Sequence, residues 1–206
     1  MIVLKDYDNS MFDFILSSNT LNEPQVGFLD KEKLQSLLDQ SNYCKVAFYN
    51  NEPAGFLLCL PENIEYGSLN YKWVSERYSN FMYIDRISVL EKFQNEKLGT
   101  ALYTDLFYFS TENQYDIILC EVNIMPPNPG SIRFHKKFDF VECGSQFTEG
   151  RTKEVQFFYK ECNKSLERIF MSNFSHDLLF PLFFFIVFVA AHIALYIMIF
   201  KGDQSK

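Results

Sequence analysis

The chain reads YIDRISVLEKFQNEKLGTAL over residues 83–102, where a β-rich run passes through a polar turn directly into an amphipathic helix. The first backbone N–H groups of a helix have no partner inside it, and the helix dipole makes that end positive. A strand, turn and helix in this order therefore favour a bound phosphate. We expect the anion site to be formed by Gln94, Asn95, Glu96, Lys97, Leu98, Gly99 and Thr100.

The residue order in this turn is similar to a known motif. It resembles the pyrophosphate-binding turn of the GNAT N-acetyltransferase superfamily, Arg/Gln-x-x-Gly-x-Gly/Ala, with Gln94 first and Gly99 last. Lys97 stands where the family has its first glycine. The resemblance implies that backbone N–H groups of the turn bind the pyrophosphate of acetyl-CoA. Lys97 either adds a positive charge there or points into solvent, whereas a glycine would allow a closer approach.

A second block extends the resemblance. Residues 120–140 read CEVNIMPPNPGSIRFHKKFDF, a strand and then a short helix. They are similar to the next GNAT block, which is a strand, Asn-x-x-Ala/Ser and a helix ending in Tyr-x-x-x-Gly-Phe. Asn128 and Ser131 match this pattern. His135 takes the place of the tyrosine, and Asp139 takes the place of the glycine.

Further contacts to acetyl-CoA follow from the resemblance. In GNAT enzymes the strand before the turn splays from the next strand, and the pantetheine arm of coenzyme A pairs with its exposed backbone. A backbone N–H near the end of that strand, here near Val89, polarises the thioester carbonyl. The resemblance implies that the arm contacts Ile87, Ser88 and Val89. It also implies a contact from Asn128, which suits the N-cap of the short helix.

Three side chains are candidates for the acetyl-transfer chemistry. Transfer to an amine needs a base for the amine proton and an acid for the departing thiolate. Glu121 and Asp85 are carboxylates within apolar, strand-like runs, which is unusual unless the charge is paired or used. By the resemblance, His135 faces the sulfur as the acid. A lone histidine on an amphipathic helix also suits a structural role.

Strand alternation predicts where these carboxylates point. Residues two apart share a face of a strand, so we expect Glu121 and Asn123 on one face, where both can meet an amine. We expect Asp85 and Arg86 on opposite faces, which leaves Arg86 for a substrate carboxylate or a structural ion pair. A water chain in place of a single base also stays open.

The order of elements predicts an α/β (α+β) fold, which the resemblance narrows to a GNAT-like mixed, largely antiparallel sheet flanked by helices. Asp30 suits a helix cap, and Asn50-Asn51-Glu52-Pro53 suits a hairpin turn. Strands are expected at residues 2–5, 43–49, 54–60, 81–90, 116–122, 140–144 and 153–159. Helices are expected at residues 10–21, after residue 30, at 98–111 and at 128–137.

Residues 61–80 show no clear period and combine aromatic with acidic side chains. These side chains are Tyr66, Tyr71, Trp73, Tyr78, Glu62, Glu65 and Glu76. Such a wall suits a cationic amine through cation–π attraction. Aromatic residues also pack a loop onto the protein, so both interpretations stay open.

The other informative stretch is LLFPLFFFIVFVAAHIALYIMIF at residues 178–200, which contains no Asp, Glu, Lys or Arg. Its length suits the ~20 apolar residues that cross a bilayer. A buried core helix, the alternative, is seldom apolar all round for so long. We therefore expect a GNAT-like domain at residues 1–161, a juxtamembrane linker at 162–177, a transmembrane helix at 178–200 and a polar tail at 201–206.

The start of the chain, MIVLKDYDNSMFDF, lacks the basic and long apolar runs of a signal peptide. We therefore expect a single-pass, tail-anchored protein whose N-terminal domain faces the cytoplasm. The chain has 5 cysteines without a C-x-x-C pair, which agrees with a reduced domain. The net charge of −7 argues against a nucleic-acid surface. No metal site is expected, and a homodimer stays open.

These observations predict an acetyl-CoA-dependent N-acetyltransferase, bound to a lipid bilayer, that moves an acetyl group to a primary amine of a small molecule or peptide. The alternative is a catalytically inactive GNAT-like module that binds acyl-CoA or acts as a scaffold at the membrane. Lys97, His135 and Asp139 keep this alternative open, because they depart from the family pattern. Amine-dependent cleavage of the thioester distinguishes the two.

Overall fold

The computed structural model describes residues 1–23 and 25–162, and a seven-stranded sheet lies at their centre. The strands are β1 (Ile2–Asp6), β2 (Tyr43–Tyr49), β3 (Glu52–Pro61), β4 (Phe81–Val89), β5 (Ile117–Met125), β6 (Val141–Thr148) and β7 (Lys153–Glu161). Their order across the sheet is β1-β2-β3-β4-β5-β7-β6. Neighbouring strands pair antiparallel except β4 and β5, which pair parallel. This confirms the predicted mixed, largely antiparallel sheet.

Helices cover both faces of the sheet. They are α1 (Phe12–Leu21), α2 (Lys31–Gln40), α3 (Leu69–Ser75), α4 (Leu98–Glu112) and α5 (Pro129–Lys137). On one face Leu102 and Leu106 of α4 are buried in the core, with α5 packed beside them. On the other face the core contains Ile15 of α1, Leu34 of α2 and Val74 of α3. The sheet is therefore the middle of three layers, with apolar side chains on both sides.

Two turn signals in the sequence have the predicted effect. The Asp30 carboxylate accepts a hydrogen bond from the Lys33 N–H (2.8 Å) and so caps α2. Asn50 and Asn51 have φ of 50° and 71°, the positive values typical of a two-residue hairpin turn. The turn is shorter than the predicted four residues, because β3 already begins at Glu52.

The sequence does not predict α3. This helix begins after Ser68, whose hydroxyl accepts a hydrogen bond from the Tyr71 N–H (3.3 Å). Only Tyr71 and Val74 of its 7 residues are buried, which is too little to give a helical period. β5 and β6 also extend beyond the predicted residues 122 and 144, because β7 pairs with both of them.

The predicted membrane anchor is not part of the described structure. Within residues 1–23 and 25–162, no helix is long and apolar enough to span a membrane. The predicted transmembrane helix at 178–200 and tail at 201–206 lie outside the described residues, as does the linker beyond residue 162. Met1–Asn163 forms a compact unit of its own.

Candidate active site

Strands β4 and β5 pair for only part of their length. Parallel pairing runs from Phe81 with Ile117 to Tyr83 with Leu119 and ends there. β4 continues to Val89 and pairs with β3 on its other side. β5 also continues past this point and pairs with β7. The two strands therefore splay, as the resemblance implies, and their backbone edges along the gap are available to an extended ligand.

The turn before α4 follows the splayed end of β4. The first hydrogen bond of the helix runs from the Ala101 N–H to the Lys97 carbonyl (2.9 Å). The N–H groups of Leu98, Gly99 and Thr100 precede this bond and point out of the helix end. Lys97 makes no side-chain capping bond to them. The turn has exposed side chains at Gln94, Asn95, Glu96 and Lys97, and its role as an anion site stays a prediction.

Both residues that replace a family glycine have a left-handed backbone. Lys97 has a φ of 62° and a ψ of 15°, and Asp139 has a φ of 61°. A Cβ atom costs energy in this region, which explains the glycine that the family has at each position. This chain adopts the left-handed conformation at both positions without a glycine.

Gly99 lets α4 approach α5 closely. A Cβ atom at this position would lie 3.1 Å from two ring atoms of Phe134 in α5. This distance is tighter than most packed side chains show, so a larger residue would require the Phe134 ring to shift. The last glycine of the motif therefore allows the start of α4 to lie against the Phe134 ring.

The side chains of the β4 residues along the gap contact other parts of the protein. Ile87 and Val89 pack against the α4 side of the core. The Ser88 hydroxyl lies 2.7 Å from the Ser18 hydroxyl of α1 and accepts a hydrogen bond from the Asn22 amide (2.7 Å). The Ser88 side chain is buried, whereas Ile87 and Val89 are partly buried, so the main chain of these residues is the part best placed for a ligand in the gap.

Glu121 lies in β5, two residues beyond its last pairing with β4. One carboxylate oxygen accepts a hydrogen bond from Asn70 Nδ2 (3.0 Å), and the other accepts one from the Tyr83 hydroxyl. Burial raises the pKa of Glu121 to about 7, and the nearby Asp85 charge raises it too, while both hydrogen bonds act in the opposite direction. A carboxylate with a pKa near neutrality suits a general base.

The prediction that Asp85 and Arg86 lie on opposite faces is wrong. A β-bulge interrupts the pairing with β3, because Leu58 pairs with Arg86 whereas Cys59 pairs with Ile84. Asp85 is the extra residue, and a bulge changes the side-chain alternation. Arg86 Nε donates a hydrogen bond to the Asp85 carboxylate (2.7 Å), and the two side chains are only 4% and 5% exposed. Arg86 is therefore engaged in a buried ion pair.

This ion pair also contacts the segments that flank it. Arg86 Nη1 donates hydrogen bonds to Asn19 Oδ1 (2.8 Å) and to the Gly27 carbonyl (3.4 Å). Burial raises the pKa of the Tyr66 hydroxyl, and the nearby Asp85 carboxylate raises it too. Asp85 is thus held by Arg86 and lies beside Tyr66, and it acts on Glu121 through its charge.

His135 is almost fully buried in α5, on the α4 side of the sheet. Its Nδ1 donates to the Ser131 carbonyl (2.8 Å), so its Nε2 accepts a hydrogen bond from the Tyr103 hydroxyl (2.7 Å). Burial lowers the pKa of His135 to about 4, so the ring is neutral at pH 7. Its ring stacks on Phe158. The structure does not bring His135 to Glu121, and its role as the acid stays a prediction.

Three other residues complete the site, one of them predicted and two missed. Asn128 caps α5, as predicted, by accepting a hydrogen bond from the Ser131 N–H (3.1 Å). Sequence analysis missed Asn70 and Tyr83, the two hydrogen-bond partners of Glu121. A signal for Tyr83 was present, because it lies two residues before Asp85 in the same strand. Asn70 gave none, because the helix that carries it has no recognisable period.

The aromatic residues of the 61–80 segment mainly pack the segment onto the sheet. Tyr71 makes edge-to-face contacts with the rings of Tyr66 and Tyr83. Trp73 stacks on Phe157 of β7, with ring centroids 4.0 Å apart and planes at 3°. The packing interpretation therefore applies to Tyr71 and Trp73, whereas the Tyr66 hydroxyl belongs to the polar cluster beside Glu121.

Known structures share this architecture. The ribosomal-protein-S18-alanine N-acetyltransferase of Escherichia coli has a TM-score of 0.60 at 13% identity, over 80% of this chain and 96% of that one. Arabidopsis thaliana NAA60, bound to a bisubstrate analogue, has a TM-score of 0.62 at 16% identity, over 80% of this chain and 100% of that one. The putative acetyltransferase yncA of Salmonella typhimurium, solved with acetyl-CoA, has a TM-score of 0.60 at 13% identity, over 80% of this chain and 95% of that one.

These low identities establish the fold, and the sequence itself establishes the family. No functionally curated protein matches the chain. The family model described as Acetyltransferase (GNAT) family matches residues 9–140, which is more than half of the 206 residues. The matched region includes the splayed strands, the turn before α4, Glu121 and α5. The chain belongs to the GNAT family of acetyltransferases.

Proposed function

We propose that the protein is an acetyl-CoA-dependent N-acetyltransferase that acts on a primary amine of a small molecule or peptide. The gap between β4 and β5 supports this best, because it opens at Glu121 while β4 leads directly into the anion-binding turn. Transfer between an acyl donor and an amine is efficient where a groove for the donor, a site for its phosphates and a base for the amine lie together. Here these three features belong to β4, α4 and β5.

The main chain is proposed to hold acetyl-CoA. The N–H groups of Leu98, Gly99 and Thr100 bind the pyrophosphate, and Lys97 adds a positive charge beside it. The backbone from Ile87 to Val89 pairs with the pantetheine arm, and an N–H near Val89 polarises the thioester carbonyl. The end of the β4–β5 pairing at Tyr83 supports this arrangement, because the backbone edge of β4 beyond that point has no partner in β5.

Glu121 is proposed as the general base. Its carboxylate removes a proton from the substrate ammonium, directly or through a water molecule. The neutral nitrogen then attacks the thioester carbonyl carbon, the C–S bond breaks and the thiolate leaves, while the nitrogen releases its second proton to the thiolate or to solvent. A pKa of about 7 suits this step, because about half of the groups are ionised at neutral pH and the carboxylate is still basic enough to take the proton. Asp85, paired with Arg86, contributes charge to the site without taking the proton itself.

One observation favours the alternative of a module that binds acyl-CoA without catalysis. Both nitrogens of His135 are already hydrogen-bonded, to Ser131 and to Tyr103, so the family's acid position holds no free proton donor. We favour the enzyme, because a thiol with a pKa of about 8.5 leaves readily as its anion and can take a proton from solvent. Cleavage of the thioester separates the two candidates.

The amine and the location are also proposals. The carboxylates of Glu121 and Asp85 suit a cationic amine, and the name of the Escherichia coli enzyme, which specifies a protein alanine, supports a peptide as one substrate class. We propose that residues 178–200 form a transmembrane helix and that the N-terminal domain faces the cytoplasm. The support is the long run without Asp, Glu, Lys or Arg.

A calorimetric titration with acetyl-CoA tests the proposed binding site. Lys97→Glu places a negative charge beside the pyrophosphate, and we expect the affinity to fall about tenfold or more. Lys31→Glu is the matched control, because it makes the same charge change at an exposed position in α2. Equal affinities for the wild type and Lys97→Glu would contradict the assignment of the turn.

A further inference from the structure

We propose that Asn70 is a positioning residue for the Glu121 carboxylate, and that Gln146 holds Asn70 in the orientation this requires. The proposal rests on the proposed function, in which Glu121 is the base. Asn70 Nδ2 lies 3.0 Å from Glu121 Oε1, and Gln146 Nε2 lies 3.3 Å from Asn70 Oδ1. The three side chains come from α3, β5 and β6, so they connect three elements around the base.

The donor and acceptor chemistry fixes the direction of this chain of hydrogen bonds. A carboxylate only accepts, so Asn70 must present its NH₂ group to Glu121. Its carbonyl oxygen then points the other way, towards the NH₂ group of Gln146. If the Asn70 amide turned over, its oxygen would face the Glu121 carboxylate. The hydrogen bond from Gln146 would also be lost. The carboxylate thus sets the orientation of Asn70, and the hydrogen bond from Gln146 stabilises it.

Packing holds α3 where Asn70 can reach Glu121. Trp73, one helical turn after Asn70, stacks on Phe157 of β7. Gly144 of β6 leaves the space for the Trp73 ring, because a Cβ atom there would lie 2.6 Å from Trp73 Cζ2. At the start of the same turn, the Tyr71 hydroxyl donates to the Pro61 carbonyl (2.7 Å). The helix is thus fixed to the sheet by the two aromatic residues that follow Asn70 in the same turn.

Asn70 and Tyr83 donate to different oxygens of the carboxylate, so together they fix the rotation of the carboxylate group. The other titratable groups that act on Glu121 are Asp85 of β4, Lys153 of β7 and Tyr66 of the 61–80 segment. Asp85 disfavours the ionised form, and Lys153 favours it. Asn70 favours it as well, because its N–H bonds to the charged form. Removing this donor raises the pKa of Glu121 and allows the carboxylate group to rotate.

The pH dependence of kcat/KM for the full chain tests the proposal, with one amine and saturating acetyl-CoA. In Asn70→Ala we expect the acid limb to move up by about one pH unit, with a lower plateau. Gln146→Ala should move it in the same direction by a smaller amount. Lys72→Ala is the control, since this exposed residue of α3 forms no contact with Glu121, and its profile should match the wild type.

A second measurement keeps this proposal separate from the proposed function. Carbon-13 labelling of the glutamate carboxyls, with the Glu121 signal assigned through Glu121→Gln, follows its ionisation without any turnover. The signal should titrate at higher pH in Asn70→Ala than in the wild type. A wild type without acetyl transfer contradicts the proposed function, whereas this titration still decides the role of Asn70. A folded Asn70→Ala with lower activity but an unmoved Glu121 titration would overturn the proposal.

Discussion

Glu121 is the residue at which burial and hydrogen bonding oppose each other most clearly. Burial favours the neutral acid, and the donors Tyr83 and Asn70 favour the anion. Burial has the larger effect, so the native protein holds this proton to higher pH than an unfolded chain does. The same feature that suits a base therefore costs stability once the group ionises.

We predict that Glu121→Gln abolishes acetyl transfer and stabilises the protein at alkaline pH. The pKa of Glu121 rises from 4.5 to about 7 on folding. The stability that the protonated form contributes is therefore complete below pH 4.5, the pKa in the unfolded chain, and is lost as the pH rises through 7. The difference corresponds to about 3 kcal/mol. Urea unfolding should show a gain for the variant over the wild type near pH 8 that is absent near pH 5, and a gain independent of pH would contradict this.

His135 should make the protein sensitive to acid. Its pKa falls from 6.5 to about 4 on folding, so the unfolded chain binds the proton first as the pH drops. The stability from the neutral ring is complete above 6.5 and is lost as the pH falls towards 4, by about 3 kcal/mol. We predict that His135→Gln is less stable at neutral pH but loses less on acidification. Thermal unfolding across this range measures both slopes, and parallel curves would refute the prediction.

Residue-level prediction from the sequence succeeded where a residue type has one strong requirement. Asn128 and Asp30 were identified as helix caps because a short polar side chain suits that position. Asp85 and Arg86 were misplaced because alternation assumes an uninterrupted strand, and nothing in the local sequence indicates the bulge. The Tyr103–His135 hydrogen bond joins residues far apart in the chain, so no local pattern predicts it.

At the scale of elements, α3 depends on one glycine in a neighbouring strand. Gly144 has a φ of 154°, and a Cβ atom would meet Trp73 at 2.6 Å. We predict that Gly144→Ala displaces α3 and lowers the free energy of unfolding by roughly 1–3 kcal/mol. Trp73 is the only tryptophan in the chain, so its fluorescence reports the displacement directly.

Gly67→Ala is the matched control, because a Cβ atom at that position meets nothing within 4 Å. It should leave both the stability and the fluorescence close to the wild type. An unchanged Trp73 spectrum in Gly144→Ala would show that β6 does not set the position of α3.

The elements that the sequence predicted well are those with a continuous apolar pattern. β4, the turn and α4 follow one another as expected, because a strand and an amphipathic helix each have a clear period. α3 was missed because its short buried side is made of Tyr71 and Val74 alone. The extra length of β5 and β6 depends on pairing with β7, which is a contact between distant parts of the chain.

At the scale of the whole molecule, we predict that the full chain fractionates with membranes and that a fragment ending at residue 163 does not. The fragment retains the compact unit Met1–Asn163, and it lacks the apolar run at residues 178–200. Membrane flotation with an alkaline wash distinguishes an integral protein from a loosely bound one. A full chain that the wash releases would contradict the proposed transmembrane helix.

The overall architecture was accessible from the sequence because two separated blocks match one family in the right order. The chemistry was accessible only in part. Glu121 was chosen for its apolar neighbours in the strand, while its partners Asn70 and Tyr83 come from other elements and became visible only in the fold. Local patterns thus indicated the elements of the site, and long-range contacts defined its geometry.

The most direct test of the account is thioester cleavage of acetyl-CoA by the wild type and by Glu121→Gln, with a panel of small amines and peptides. We predict amine-dependent cleavage by the wild type, and a variant that still binds acetyl-CoA but turns over at least ~100-fold more slowly. Equal turnover by the two proteins would contradict the role of Glu121. Binding of acetyl-CoA without cleavage in the wild type, for every amine, would contradict the enzyme and favour the binding module.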